Sequence, residues 1–127
     1  MKDRISIILA GFNPIFCLGL QNMLNDSKEY HIVHCFNHKD EIEDFIVNGG
    51  NADLLIFADN LTDITFIPKD SNIKSLVFTD HPEKFKYDNW FYVNISGTLK
   101  WNINNEEFSD TIQKLTKGEN GFVRQYP

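Results

Sequence analysis

The sequence has few cysteines, no excess of positive charge and no long apolar run. Its two cysteines, Cys17 and Cys35, both stand among apolar neighbours, so we expect buried core residues and not a disulfide or a redox pair. Lys and Arg number 12 against 18 Asp and Glu, and the net charge of −6 disfavours direct binding to nucleic acid or to an anionic membrane. The apolar run after Arg4 is too short to span a membrane and has no signal-peptide cleavage pattern, so we expect a cytoplasmic protein.

Several kinds of functional site are also missing from the sequence. His31, His34, Cys35 and His38 carry metal-ligating side chains, but His31 and His34 would point to opposite faces of a strand, so no metal site is predicted. After the first apolar run, the letters GFNP stand where a Gly-rich phosphate loop would be, and Pro14 lacks an N–H donor. No Ser/His/Asp or Cys/His arrangement indicates nucleophilic catalysis. We therefore expect neither dinucleotide binding nor an enzyme.

What remains is a chain of ordinary globular composition in which strand and helix patterns alternate. A length of 127 residues fits one domain with one core. Five apolar runs predict strands, at residues 5–10, 31–36, 52–60, 73–79 and 97–101. Strands separated by helices require parallel pairing with right-handed crossovers, so the predicted class is an α/β fold with a doubly wound, five-stranded parallel sheet.

Three helices are predicted from caps and periodicity. The first begins after Asn13 and Pro14. Its apolar positions recur at helical spacing and are expected to face the core: Ile15, Phe16, Leu20, Met23 and Leu24. The second covers residues 40–47, and Asn37 or His38 opens it. The last is capped by Asn104 with Glu107 and closes at Gly118.

The third apolar run, ADLLIFADN at residues 52–60, is the expected centre of the sheet. Its residues 54–57 are apolar without alternation, which is typical of a strand covered on both faces. Ala58 and Asp59 follow at its carboxyl end. Ligands of open α/β sheets bind in the crevice beyond the strand ends, so these two positions are where a reactive group is expected.

The order of elements and several local sequences resemble the receiver domains of two-component response regulators, which have a CheY-like, flavodoxin-like fold. The similarity is greatest to the subgroup in which a NarL/LuxR-type helix-turn-helix domain follows the receiver. It runs nearly end to end and rests on these residues: Ala10, Pro14, Gly19, Leu20, Asp53, Thr79, Ser96 and Gly97. The resemblance implies strand order 2-1-3-4-5 and a receiver-like domain over residues 1–118. Residues 119–127 would be a tail or the start of a linker, and an output domain would follow in the full-length protein.

The chemistry of that family is missing from the matching positions. A working receiver has an acidic pair that holds Mg²⁺, an Asp that accepts the phosphoryl group and a Lys that neutralises it. Gly11 and Phe12 replace the acidic pair, and Ala58 replaces the phosphoacceptor. The Lys position falls on Trp101 or on the adjacent Lys100. Only Thr79 keeps the family residue.

These replacements predict a degenerate receiver, or pseudo-receiver, without a metal site. The aromatic ring of Phe12 removes oxygen ligands and displaces water, which a hard cation such as Mg²⁺ does not accept, so no cofactor is expected. Asp59 is a fallback phosphoacceptor only if a bulge re-aims it, because one step along a strand turns the side chain to the other face. An apolar plug at the former site is the expected arrangement.

Two further departures concern helices of the family. The segment between residues 58 and 73 is about seven residues shorter than the family's and contains Pro68, so the third helix is expected to be shortened or lost. The fourth-helix region has poor helix propensity and is crowded with aromatic residues that make it a candidate interface. These residues are Phe85, Tyr87, Trp90, Phe91 and Tyr92.

Two functions of different class remain open at this stage. The first is an atypical, phosphorylation-independent receiver domain acting in signal transduction and transcription regulation through protein partners, which can include a second copy in a homodimer. DNA would be reached only through a separate C-terminal domain, and no membrane is involved. The alternative is a small flavodoxin-like protein or enzyme that binds an organic ligand or a flavin in the same crevice.

Overall fold

The computed structural model describes residues 5–26, 28–61, 73–85 and 95–116. Within them, five strands and three α-helices alternate, and a short 3₁₀ helix at Pro82–Phe85 follows the fourth strand. The strands are β1 (Ile5–Ala10), β2 (Tyr30–Phe36), β3 (Leu54–Ala58), β4 (Lys74–Phe78) and β5 (Ile95–Leu99). The helices are α1 (Pro14–Asn25), α2 (Lys39–Val47) and α3 (Asn105–Thr116). No helix in these ranges is long and apolar enough to cross a membrane.

The strands form one parallel sheet in the order β2-β1-β3-β4-β5, which confirms the predicted fold class and strand order. β3 lies at the centre and all five of its residues are buried, as its unbroken apolar sequence requires. β2 is an edge strand, and its more polar sequence is partly exposed. The predicted loss of the third helix concerns residues 62–72, which lie outside the described residues.

Alternation along the strands divides the buried side chains into two layers. Leu9, Ile56 and Phe78 belong to the layer shared with α1 and α3. Ile8 and Phe57 belong to the layer shared with α2. Adjacent strand residues therefore reach opposite sides of the sheet, and each layer joins a helix face to it. This geometry fixes which side of the sheet each residue at the strand ends belongs to.

Local hydrogen bonds explain where the elements begin. Asn13 Oδ1 accepts from the Phe16 backbone N–H at 2.8 Å and starts α1, where Pro14 occupies the first turn. Asn104 Oδ1 accepts from the Glu107 N–H at 2.8 Å and starts α3. Asp53, just before β3, accepts from the Ser6 N–H at 2.8 Å, which joins the start of the central strand to β1.

α2 is capped at both ends by its own sequence. At its start, Glu41 Oε1 accepts from the backbone N–H groups of Asn37 and His38, at 2.8 and 3.1 Å. These bonds stabilise the carboxylate and hold the pKa of Glu41 below its usual value. At its end, Gly49 has a φ of +89° and Gly50 N–H donates to the Phe45 carbonyl at 2.8 Å, which is a Schellman ending.

Two sequence-based predictions about side chains are wrong. Ile15 was expected on the core face of α1 but is 84% exposed, because the helix buries Cys17, Leu20 and Leu24 instead. Cys17 and Cys35 were expected to be separate core residues, but the structure joins their sulfurs in a disulfide between α1 and β2. Sequence spacing alone does not reveal that pairing, because it depends on the packing of the helix on the edge strand.

The fifth strand also begins and ends earlier than predicted. It was expected at residues 97–101 and is found at Ile95–Leu99. Its pairing with β4 shifts between Ser75 and Leu76, so that Ser75 pairs with Ile95 and Leu76 with Gly97. The chain then turns, with the Ile103 N–H donating to the Lys100 carbonyl at 3.1 Å. Residues 100 and 101 therefore lie beyond the strand.

Candidate functional site

The candidate site is the edge of the sheet where β1, β3 and β4 end. Gly11 follows β1 with a φ of +83°, in the left-handed region that favours glycine. A Cβ added at Gly11 would lie 3.5 Å from the Cβ of Ala58, at the end of β3, and 3.3 Å from Asn60 Oδ1. Two positions that match acidic residues of the receiver family therefore lie side by side, and neither carries a carboxylate.

The space beside Ala58 is occupied by aromatic rings, which we call the aromatic plug: Phe12, Phe16, Phe78 and Trp101. The Phe12 ring centroid lies 5.2 Å from that of Phe16, 5.6 Å from Phe78 and 6.1 Å from Trp101. Phe16 and Phe78 are 5.4 Å apart, and Phe78 and Trp101 are 5.2 Å apart. Such tilted and edge-on pairs at 4.5–7 Å are favourable aromatic contacts.

The plug belongs to the buried layer on the α1 and α3 side of the sheet. Phe12 is only 5% exposed and shares that layer with Ala58, while Trp101 is partly buried and packs against it. A position that would hold an acid in the family is thus a core position here. A buried, apolar environment of this kind disfavours both an ionised carboxylate and a hydrated cation.

Thr79, which directly follows β4, is buried and takes part in two local hydrogen bonds. Its backbone N–H donates to the Leu99 carbonyl at 2.8 Å, which extends the pairing with β5 by one residue. Its Oγ1 accepts from the His81 N–H at 2.9 Å. The hydroxyl therefore stabilises the turn after β4, as Ser and Thr side chains do in such turns.

The two candidates for the family's Lys position lie in different environments. Lys100 is exposed, whereas the ring of Trp101 is part of the aromatic plug. The turn that starts at Lys100 is what brings Trp101 over Phe16, at a centroid distance of 5.4 Å. Of the two side chains, therefore, the ring of Trp101 packs on Phe12 and Phe16, whereas Lys100 is exposed.

Asp59 follows Ala58 without any change of register. β3 and β4 pair continuously from Leu54 with Lys74 to Ala58 with Phe78, and the Asp59 N–H donates to the Phe78 carbonyl at 3.1 Å. That pairing contains no bulge of the kind needed to re-aim Asp59. Its role as a fallback phosphoacceptor is not tested by this geometry.

Among the described residues, no group of three or more His, Cys, Asp or Glu side chains could hold a metal ion. Of the predicted aromatic interface, the structure describes only the backbone of Phe85, at the end of the 3₁₀ helix. The rest of that interface, Tyr87, Trp90, Phe91 and Tyr92, falls outside the described residues.

An apolar cleft of about 310 Å³ opens beside the plug, between α1 and the start of α3. Phe16, Phe78, Trp101 and Phe108 line it, and Gly19 of α1 faces it without a side chain. Sequence reasoning did not find this cleft. The one signal available was Gly19 in the middle of a helix, where glycine is unfavourable and usually has a packing or functional reason.

The overall arrangement is the receiver fold, as comparison with solved structures confirms. The chain is similar to the RcsB response regulator of Salmonella typhimurium, with a TM-score of 0.76, 16% identity, and coverage of 98% of this chain and 65% of that one. It is similar to the receiver domain of the putative response regulator NarL from Mycobacterium tuberculosis, with a TM-score of 0.75, 14% identity, and coverage of 93% and 100%. It is also similar to a LuxR-family response regulator from Aurantimonas sp. SI85-9A1, with a TM-score of 0.73, 17% identity, and coverage of 91% of this chain and 87% of that one.

Sequence comparison adds nothing to this structural likeness. No protein-family model and no curated protein matches the chain. At identities of 14–17%, the likeness shows the fold alone. The chain spans about two thirds of the RcsB structure, which is 65% covered.

Proposed function

We propose that this chain is a receiver-type regulatory domain that works in signal transduction and transcription regulation without being phosphorylated. It would act in the cytoplasm through contacts with other proteins and would have no catalytic activity of its own. The observation that carries the proposal is the ring of Phe12, 5% exposed and packed on Phe16, Phe78 and Trp101, beside an alanine at the end of β3.

The free energies involved favour the aromatic plug over a bound metal ion. Removing a buried Phe side chain from a core costs about 3–5 kcal/mol, so displacing Phe12 from its contacts costs on that order. A Mg²⁺ ion at ten times its Kd would contribute only about 1.4 kcal/mol to a state that binds it. Even an intact set of ligands would therefore not offset the displacement at that concentration, and Gly11 and Ala58 supply no side-chain oxygen. Without bound Mg²⁺, phosphoryl transfer at this edge of the sheet loses its charge neutralisation.

Protein contacts are the remaining route for a signal. On α1, Ile15, which lines the apolar cleft, is 84% exposed, and Leu18 is 58% exposed. Large exposed apolar side chains next to an apolar cleft are typical of contact surfaces. RcsB is described as dimers bound to DNA, and this supports a homodimer here. With a net charge of −6, this chain would leave DNA contact to a separate domain.

Incubation with acetyl phosphate and Mg²⁺, followed by intact mass, tests the proposal. We expect no mass increase by a phosphoryl group in the wild-type chain or in Asp59→Asn. A receiver domain that keeps its acidic residues serves as the positive control. A phosphoryl adduct that disappears in Asp59→Asn would make Asp59 the acceptor and would overturn the proposal.

A second function is favoured by the cleft. Its volume of about 310 Å³ lies at the lower end of the range for small-molecule sites, and aromatic rings form much of its lining. A small apolar or aromatic ligand would fit it, which corresponds to the flavodoxin-like alternative. Visible absorption of the purified chain detects a flavin. Titration with an apolar fluorescent dye, compared with Gly19→Leu, which fills the cleft, detects other apolar ligands.

A further inference from the structure

Cys17 and Cys35 form a thiol pair that links α1 to the edge strand β2. Their sulfurs are joined, and their Cα atoms lie 7.1 Å apart across 18 residues of sequence. Their environments differ, because Cys17 is only 4% exposed whereas Cys35 is exposed. Small molecules in solution can therefore reach one sulfur directly but not the other.

The pair lies next to the aromatic plug. Cys17 follows Phe16, whose ring contacts Phe12, Phe78 and Trp101 at centroid distances of 5.2–5.4 Å. Cys35 pairs with Leu9 of β1, on the strand that leads to Gly11 and Phe12. A bond between the two sulfurs thus holds the first turns of α1 against the sheet, at the point where the plug is built.

The Cα separation of the two cysteines is long for a disulfide. Disulfides usually span Cα distances of about 4.4–6.8 Å, and the 7.1 Å found here lies just beyond that range. Two buried layers on a five-stranded sheet also hold the domain together.

We propose that Cys17 and Cys35 are a reversible redox site whose closed bond ties α1, next to the plug residue Phe16, to the edge strand β2. The oxidant is a low-molecular-weight disulfide. The Cys35 thiolate attacks one sulfur of that disulfide, forming a mixed disulfide and releasing one thiol. The Cys17 thiolate then attacks the Cys35 sulfur, closes the internal bond and expels the second thiol. Two protein thiols and one disulfide thus give one protein disulfide and two small thiols, and excess thiol reverses the reaction.

The role of each cysteine follows from its exposure. Cys35 is the entry sulfur that reacts with the small disulfide, and buried Cys17 is the resolving sulfur. In a reducing compartment the pair would rest as thiols and close under oxidative conditions, as intracellular disulfides that sense redox state do. This inference is independent of whether the chain accepts a phosphoryl group.

The test equilibrates the full chain in glutathione buffers of increasing oxidised fraction, quenches with acid, unfolds the chain in denaturant so that both cysteines are accessible, alkylates the free thiols and records the intact mass. We expect two alkyl groups per chain in reduced buffer, none in oxidised buffer, and full return on adding reduced glutathione. In oxidised buffer, Cys17→Ser is expected to carry one glutathione on Cys35. Cys35→Ser is expected to carry none, because Cys17 is buried.

A second readout follows the coupling to the plug. In a Trp90→Phe background Trp101 is the sole tryptophan, and its emission is expected to change between the two redox states but not in Cys35→Ser. Two alkyl groups in every buffer, or none in any, would overturn the proposal. An unchanged Trp101 emission would also overturn it, since the pair would then be a bond without a conformational effect.

Discussion

At the scale of single residues, Phe12 decides what the site can do. It occupies a position that matches an acid of the receiver family, and the structure makes it part of the core. Its three aromatic partners come from different elements: Phe16 from α1, Phe78 from β4 and Trp101 from the turn after β5. The four rings therefore form a junction that holds these elements together.

Replacing Phe12 tests this structural role. Phe12→Ala removes a buried ring and is expected to lower the free energy of unfolding by about 3 kcal/mol or more, as Phe→Ala does in other cores. Ile15→Ala is the matched control, because Ile15 is exposed and its loss should change stability by no more than about 0.5 kcal/mol. Urea unfolding measures both. Equal stabilities of the two variants would show that Phe12 does not pack as described.

The residue scale is also where sequence reasoning succeeded least. The resemblance to the receiver family implies that Gly11, Phe12 and Ala58 stand where that family has acidic residues, and this stays a prediction. The contact of Trp101 with Phe12 could not be read, since it depends on a turn whose start was placed two residues late. The pairing of Cys17 with Cys35 depends on how α1 lies on β2, and no local pattern encodes that distance.

At the scale of elements, periodicity and caps predicted most of the fold. Asn13, Pro14 and Asn104 start their helices as expected, and β1 has the predicted bounds. β5 differs because its pairing with β4 shifts register at Ser75, which the composition of the strand does not indicate. Element type thus follows from sequence spacing, whereas register follows from contacts between distant segments.

The start of α2 makes a prediction about pH. The folded pKa of Glu41 is lowered by hydrogen bonds from the Asn37 and His38 N–H groups, so its carboxylate stabilises the folded state above the unfolded pKa. That contribution is lost as the pH falls through the lowered value. Glu41→Gln keeps a hydrogen-bond acceptor but does not titrate. We expect the stability difference between wild type and Glu41→Gln to shrink between roughly pH 6 and roughly pH 3.

Urea unfolding midpoints of wild type and Glu41→Gln, measured side by side across that pH range, show whether the stability difference shrinks or grows as the pH falls. A difference that grows as the pH falls would contradict the hydrogen bonds at the start of α2. Glu106→Gln is a matched control, because Glu106 is an exposed acid in the first turn of α3.

Alanine is expected to have opposite effects on stability at two glycines, Gly19 within α1 and Gly50 just after α2. A Cβ at Gly19 would meet no atom within 4 Å, so Gly19→Ala should raise the free energy of unfolding by up to about 1 kcal/mol, as Ala is the better helix former. A Cβ at Gly50 would lie 2.6 Å from the Phe45 carbonyl oxygen, so Gly50→Ala should lower it by about 1–3 kcal/mol. Thermal unfolding of both variants measures the two changes in stability. The same sign for both would contradict the packing at one of the two positions.

At the scale of the whole molecule, the sheet order brings the ends of β1, β3 and β4 together, and the aromatic plug closes the place where they meet. The topology could be predicted, because alternating strands and helices leave few parallel arrangements. The plug and the adjoining cleft required the structure, since they combine residues from α1, β4, the turn after β5 and α3. The chain thus combines the receiver fold with packed aromatic rings at this edge of the sheet.

The most direct test of the plug is amide NMR of the ¹⁵N-labelled chain during addition of Mg²⁺ and then beryllofluoride, a phosphoryl mimic. The amides to follow are those of Gly11, Ala58 and Thr79, at the ends of β1, β3 and β4. We predict that their chemical shifts stay unchanged, because Phe12 and its aromatic partners occupy the site and no carboxylate holds the ion. Saturable shifts confined to these amides would show that the site opens, and would contradict a phosphorylation-independent domain.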